Sequence, residues 1–79
     1  MRILFFAQLK DVTGCEVWEH EVTSPVGAAE LWEALTRRFP RLAPHQASVR
    51  LAKNLEYTGA DCRFANEDEV ALIPPVSGG

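Results

Sequence analysis

No apolar run in this 79-residue chain is longer than Ile3 to Ala7. A membrane-spanning helix takes roughly 20 apolar residues, and a secretory leader needs an apolar stretch of its own. The expectation is a cytoplasmic protein with no membrane contact. Basic residues are scarce as well: 8 Lys+Arg stand against 11 Asp+Glu, a formal net charge of −3. Arg37-Arg38 is the one adjacent basic pair. No basic stripe with interleaved aromatics is available to track a phosphate backbone and stack bases, so no nucleic-acid partner is expected. Cysteine is limited to Cys15 and Cys62. One bridge between them has nothing else to recommend it, and free thiols are expected. His20 and His45 are isolated, so no metal site is expected. No glycine loop cradles a phosphate, and no nucleophile sits beside a paired base.

What remains is one small domain, 47% apolar, short of the length that would hold a second one. Residues 1–10 alternate as a strand, with Ile3, Phe5 and Ala7 on one face and Arg2, Leu4, Phe6 and Gln8 on the other. Lys10 to Gly14 reads as a short turn or single helical turn closed by glycine, a tight link into a second strand over 15–23. Ser24-Pro25 is a helix-start signal. Ala28, Leu31, Trp32, Leu35 and Phe39 then recur at helical spacing, with Glu30, Glu33, Arg37 and Arg38 outside, and Pro40 ends the helix. Residues 40–47 read as loop and 48–54 as a strand with Val49 and Leu51 on one face. Lys53 falls on that apolar side, either with its head in water at the strand end or placed for function. Asn54 turns the chain into a short strand at 55–57. Residues 58–69 have loop composition with Phe64 as a core plug, and 69–73 form a last strand with Val70 and Leu72 inward. The fold class is α+β: a mixed sheet of about five strands, one main helix across one face, and an extended tail.

The domain spans 1–73 and the tail 74–79. Pro74-Pro75 forbids further sheet pairing and favours an extended exit. Val76 and Ser77 lead to Gly78-Gly79, which lack side chains. At roughly 3.3 Å per residue the tail reaches about 20 Å, a stiff stem with a slim, flexible tip. Its terminal carboxylate is ionised at neutral pH and is uncrowded by any Cβ, so it can pass down a narrow channel into another protein's active site. There, attack on ATP would give an acyl-adenylate, and a sulfur nucleophile would turn that into a thiocarboxylate.

The runs LFFAQLKDVTG (4–14) and EDEVALIPPVSGG (67–79) resemble the small subunit of molybdopterin synthase, a ubiquitin-like β-grasp sulfur-carrier family. The resemblance extends over essentially the whole chain. It implies that Gly79 is adenylated by an E1-like, ATP-using enzyme and thiocarboxylated with the help of a sulfur donor system. It further implies that the tail enters the large subunit and gives its sulfur to cyclic pyranopterin monophosphate, building the molybdopterin dithiolene. Such complexes are heterotetramers, with the small subunits at the ends of a large-subunit dimer. The large subunit then supplies the acid–base groups; this chain binds no cofactor and is not catalytic alone. The chain departs from the family pattern at Asn66-Glu67, where Asp-Gly is usual; at Lys53, where an apolar residue is usual; and at the helix entry, with Pro25 and Gly27. Asn66 is expected to take the left-handed turn position that glycine would otherwise fill.

In this fold the first and last strands pair centrally, which brings Phe6 beside Ile73, with Tyr57 near. Rimmed by Arg2, Gln8 and Glu69, these residues and the tail residues Pro74, Pro75, Val76 and Ser77 form the expected docking surface. Glu67-Asp68-Glu69 reads either as a steering charge for a basic partner or as a solvated turn. Three other functions stay open: a sulfur carrier for thiamine or another pathway, a ubiquitin-like modifier joined to lysines, and a binding module with an inert tail.

Overall fold

Alternating apolar side chains form the strands at the centre of the molecule. A computed structural model describes residues 1–59 and 61–75. Strand β1 (Arg2–Phe5) buries Ile3 and Phe5, and β7 (Glu69–Ile73) buries Val70 and Leu72. The two run parallel, with Phe5 opposite Leu72, as expected for the sheet centre. β2 (Val17–Glu19) lies antiparallel on one side of β1, and β4 (Arg50–Lys53) lies antiparallel on the other side of β7. The edge strand β5 (Glu56–Tyr57) completes a five-stranded sheet in the order β2-β1-β7-β4-β5.

Helix α2 (Ala28–Arg38) crosses one face with Leu31, Trp32 and Leu35 buried, and Phe39 is buried just beyond it. Glu30 in its first turn and Arg37 and Arg38 in its last complement the helix dipole. Phe39 stands edge-on to both Phe5 and Trp18, at 5.3 and 5.4 Å between ring centres, joining helix to sheet. The core also takes in Phe64, the expected plug, which is fully enclosed. Both cysteines are free thiols.

Several expectations need correction. The first strand ends at Phe5, because Ala7 takes φ 51 and turns the chain into helix α1 (Gln8–Thr13). Ala7 is consequently exposed, and Leu9 fills the core in its place. Leu4 is half-buried rather than exposed. The β1–β2 link is therefore that helix, not a tight hairpin. Gly14 closes it at φ 78, where its N–H donates to the Lys10 carbonyl at 2.8 Å. The second strand is shorter than 15–23.

Helix α2 starts at Ala28, not at Ser24-Pro25, since Val26–Gly27 (β3) pairs with Arg63–Phe64 (β6) in a small second sheet. Glu30 supplies the N-terminal cap by accepting the Gly27 N–H at 3.1 Å. The supposed loop after Pro40 is a 3-10 helix (Pro40–His45) that buries Leu42. Positive φ falls at Asn54 and Leu55, not at Asn66. Asn66 instead uses its side chain, whose Oδ1 accepts the Val22 N–H at 2.9 Å.

Candidate functional site

The tail leaves the sheet from β7, a central strand held on both sides. Its root, Pro74 half-buried and Pro75 exposed, borders a depression of about 270 Å³ with Ser48, Arg50, Tyr57 and Ile73. Proline offers no N–H, so pairing with a neighbouring strand stops there. Val76, Ser77, Gly78 and Gly79 lie outside the described residues.

On the sheet face away from α2, the outward positions of β4 and β7 meet the two turns that flank the sheet. Phe6, Tyr57 and Ile73 come together there, Ile73 facing outward by the alternation of β7. They share a depression of about 240 Å³ with Ala52, Ala71 and Leu55. Among the described residues no charged side chain lines it. Ala52 and Ala71 are cross-strand partners and form its floor. The large side chains at its edges remain open to water: Phe6 is 45% exposed, Tyr57 65% and Leu55 94%. Phe6 sits in the turn after β1 rather than on the strand, and is held beside Ile73 because Phe5 pairs with Leu72.

Leu55 is the member that sequence reasoning missed. It looked like the first residue of a short strand. It is instead the second residue of the two-residue Asn54-Leu55 turn joining β4 to β5. The signal was present: alternation ends at Lys53, Asn follows, and Lys53 pairs directly with Glu56.

The charges around this face are mostly engaged. Arg2 lies 3.8 Å from Glu69 across the β1–β7 pair. The Arg50 guanidinium sits over the Tyr57 ring at 5.7 Å. Asp68 is not a free steering charge. Its Oδ2 accepts the Ala65 N–H at 2.7 Å and its Oδ1 accepts from Asn54 Nδ2 at 3.1 Å. The Ala65 N–H bond, then Asn54 and the charge of Lys53, hold its carboxyl below the usual range against the opposing effect of burial. Lys53 spans the inner face of β4, donates from Nζ to the Arg63 carbonyl at 2.8 Å and lies 3.8 Å from Asp68. The head is not simply in water at the strand end: the lysine ties β4 to the 63–68 segment.

A further hollow, about 320 Å³, lies between β2 and α2 and shares no lining residue with the Phe6–Ile73 depression. Trp18 and His20 stack there at 4.6 Å, and burial, then the N-terminal charge, lowers the His20 pKa. Among the described residues no three His, Cys, Asp or Glu side chains gather as metal ligands. No helix among them is long and apolar enough to cross a membrane.

A mixed five-stranded sheet, one main helix across it, and a tail issuing from the last central strand define a ubiquitin-like β-grasp protein. SAMP1 from Haloferax volcanii superposes with a TM-score of 0.85 at 28% identity, covering 100% of this chain and 98% of that one. Subunits 1 and 2 of molybdopterin-converting factor from Helicobacter pylori have been solved as a protein–protein complex, and a chain of it shares the fold at TM-score 0.69 and 22% identity, over 99% of this chain and 96% of that one. The molybdopterin synthase sulfur carrier subunit of Arabidopsis thaliana is 33% identical over 79 residues, 100% of this chain and 82% of the relative. The chain belongs to the ThiS family, which matches residues 3–79.

Proposed function

We propose that this protein is the sulfur-carrier subunit of a molybdopterin synthase, working in the cytoplasm. The observation that carries the reading is a central strand leading straight through Pro74-Pro75 toward Gly78-Gly79, beside an uncharged apolar face. The first step belongs to an E1-like enzyme. The Gly79 carboxylate attacks the α-phosphate of ATP, expels pyrophosphate and becomes an acyl-adenylate. Hydrosulfide from the sulfur source then adds at the acyl carbon, AMP leaves, a proton is lost, and the terminus is a thiocarboxylate. The tail next enters the large subunit, where sulfur passes to cyclic pyranopterin monophosphate and the carboxylate is restored by water. A dithiolene needs two sulfur atoms, so two charged carriers serve each product. The chain's own part is threefold: to dock through Phe6, Tyr57 and Ile73, to hold the tail extended, and to present a terminus without side chains.

Intact-mass spectrometry tests this. Incubated with its activating enzyme, ATP and a sulfur source, the protein gains the mass of one oxygen-to-sulfur exchange at the C-terminal peptide. An unchanged terminus beside an active enzyme refutes the reading. Capture of the molybdopterin synthase large subunit, rather than a thiazole-forming enzyme, separates this pathway from thiamine synthesis. The likeness to SAMP1 supports a second reading, a modifier joined through the same carboxylate to lysines. Gly-Gly remnants on lysines of cellular proteins would support it.

A further inference from the structure

Three non-glycine residues take positive φ among the described residues: Ala7 at 51°, Asn54 at 50° and Leu55 at 74°. Asparagine tolerates that region; a bulky leucine does not. All three lie in the two turns that border the apolar face, Ala7 directly after Phe6 and Asn54-Leu55 directly before β5. Both central residues of the β4–β5 turn have positive φ, the geometry in which Asn-Gly is preferred. The chain keeps leucine at the glycine position and leaves it 94% exposed. Folding gains nothing from either choice. A conformation that the fold disfavours, carrying an apolar side chain that the fold does not bury, points to a use outside the domain.

We infer that Leu55 is an anchor for the large subunit, inserted into an apolar recess of that partner at the edge of the docking face. The inference rests on the sulfur-carrier reading above. Leu55 lines the same depression as Ile73, and Pro74 follows Ile73 directly. A protein that takes the tail into its active site therefore lies over this side of the sheet. The lining is uncharged, which suits a lasting subunit interface better than a brief encounter with an activating enzyme.

The test compares wild type, Leu55→Gly and Leu55→Met by calorimetric titration with the large subunit and by thermal denaturation. Leu55→Gly is expected to lose affinity about tenfold or more while its Tm stays level or rises, because glycine relieves the turn. Leu55→Met keeps an apolar side chain and holds affinity within about threefold. The opposite signs of binding and stability are what a merely structural residue would not give. Wild-type binding matched by Leu55→Gly overturns the inference alone. Leu55→Gly affinity lost for the activating enzyme, in a parallel titration, and kept for the large subunit overturns the choice of occupant. A wild-type chain that ignores the large subunit overturns the functional reading and this inference with it.

Discussion

Phe5 and Phe6 are adjacent in the chain and should fail in opposite ways when truncated. Phe5 is 2% exposed and packs edge-on against Phe39 at 5.3 Å. Phe5→Ala should cost about 3–5 kcal/mol, the usual range for emptying a buried aromatic site. A 79-residue domain is stable by about 4–12 kcal/mol at ordinary values per residue. Phe5→Ala therefore removes much of the margin, and Tm should fall by at least about 12 °C. Phe6 is 45% exposed, so only about half of a full phenylalanine burial of roughly 3 kcal/mol is at stake. Compaction of the unfolded chain lowers that further, to about 1–1.5 kcal/mol. Binding reverses the order. Buried in an interface, Phe6 has the character of a hot spot, and its loss should weaken the large subunit's hold by about 2 kcal/mol, roughly thirtyfold. Circular dichroism melts and isothermal titration of each variant supply both numbers. If Phe6→Ala lowers Tm as far as Phe5→Ala, the side-chain register around the first turn is wrong. If it melts normally and binds normally, the apolar face is not the docking surface.

Removal of Gly78-Gly79 should abolish sulfur transfer while Tm stays within about 2 °C, since chain ends contribute little to stability; activity and melting assays on the truncated chain check this. Leu42→Ala, in the 3-10 helix, should cost about 2–5 kcal/mol despite lying in a stretch with loop composition, as read from urea denaturation. Asp68→Ala frees the Ala65 N–H and Asn54 amide, a loss of about 1.5 kcal/mol near neutral pH once solvent screening is allowed for. Because the folded pKa of Asp68 lies below its unfolded value, its contribution is present above the usual Asp pKa of about 3.9 and fades as pH falls through the lower folded value. The Tm gap between wild type and Asp68→Ala should therefore narrow in acid; a gap that widens there refutes the assignment.

Where a segment repeats one period for several residues, its structure was legible. The inward Val70 and Leu72 of β7 and the Leu31-Trp32-Leu35-Phe39 stripe of α2 follow from geometry that each residue shares with its neighbours. Reading failed where a distant contact overrides that period. Val26 and Gly27 cannot form a strand until Arg63 and Phe64 arrive beside them, and the capping signal at Ser24-Pro25 loses to that pairing. Asn66 needs no left-handed turn because Val22, from a distant segment, offers it an N–H. Lys53 was ambiguous until the Arg63 carbonyl and Asp68 were seen to meet its head.

The apolar face beside the tail's root shows the same division. Ile73 was identifiable from alternation, Tyr57 only as a near neighbour, and Phe6 was rightly placed outside the core though on the wrong element. Leu55 was missed because what sets it apart is a φ angle and its exposure, which no pattern of apolar spacing encodes.

Composition and order along the chain determined the local pieces: prolines that stop the sheet at the far end of β7, two glycines without side chains as the last residues, strands and a helix marked by their periods. These are properties of neighbouring residues and survive without a fold. Tertiary structure alone decided which side chains share the surface beside that end, because the sheet order places β7 between β1 and β4 and two disfavoured turns bring Phe6 and Leu55 to one rim.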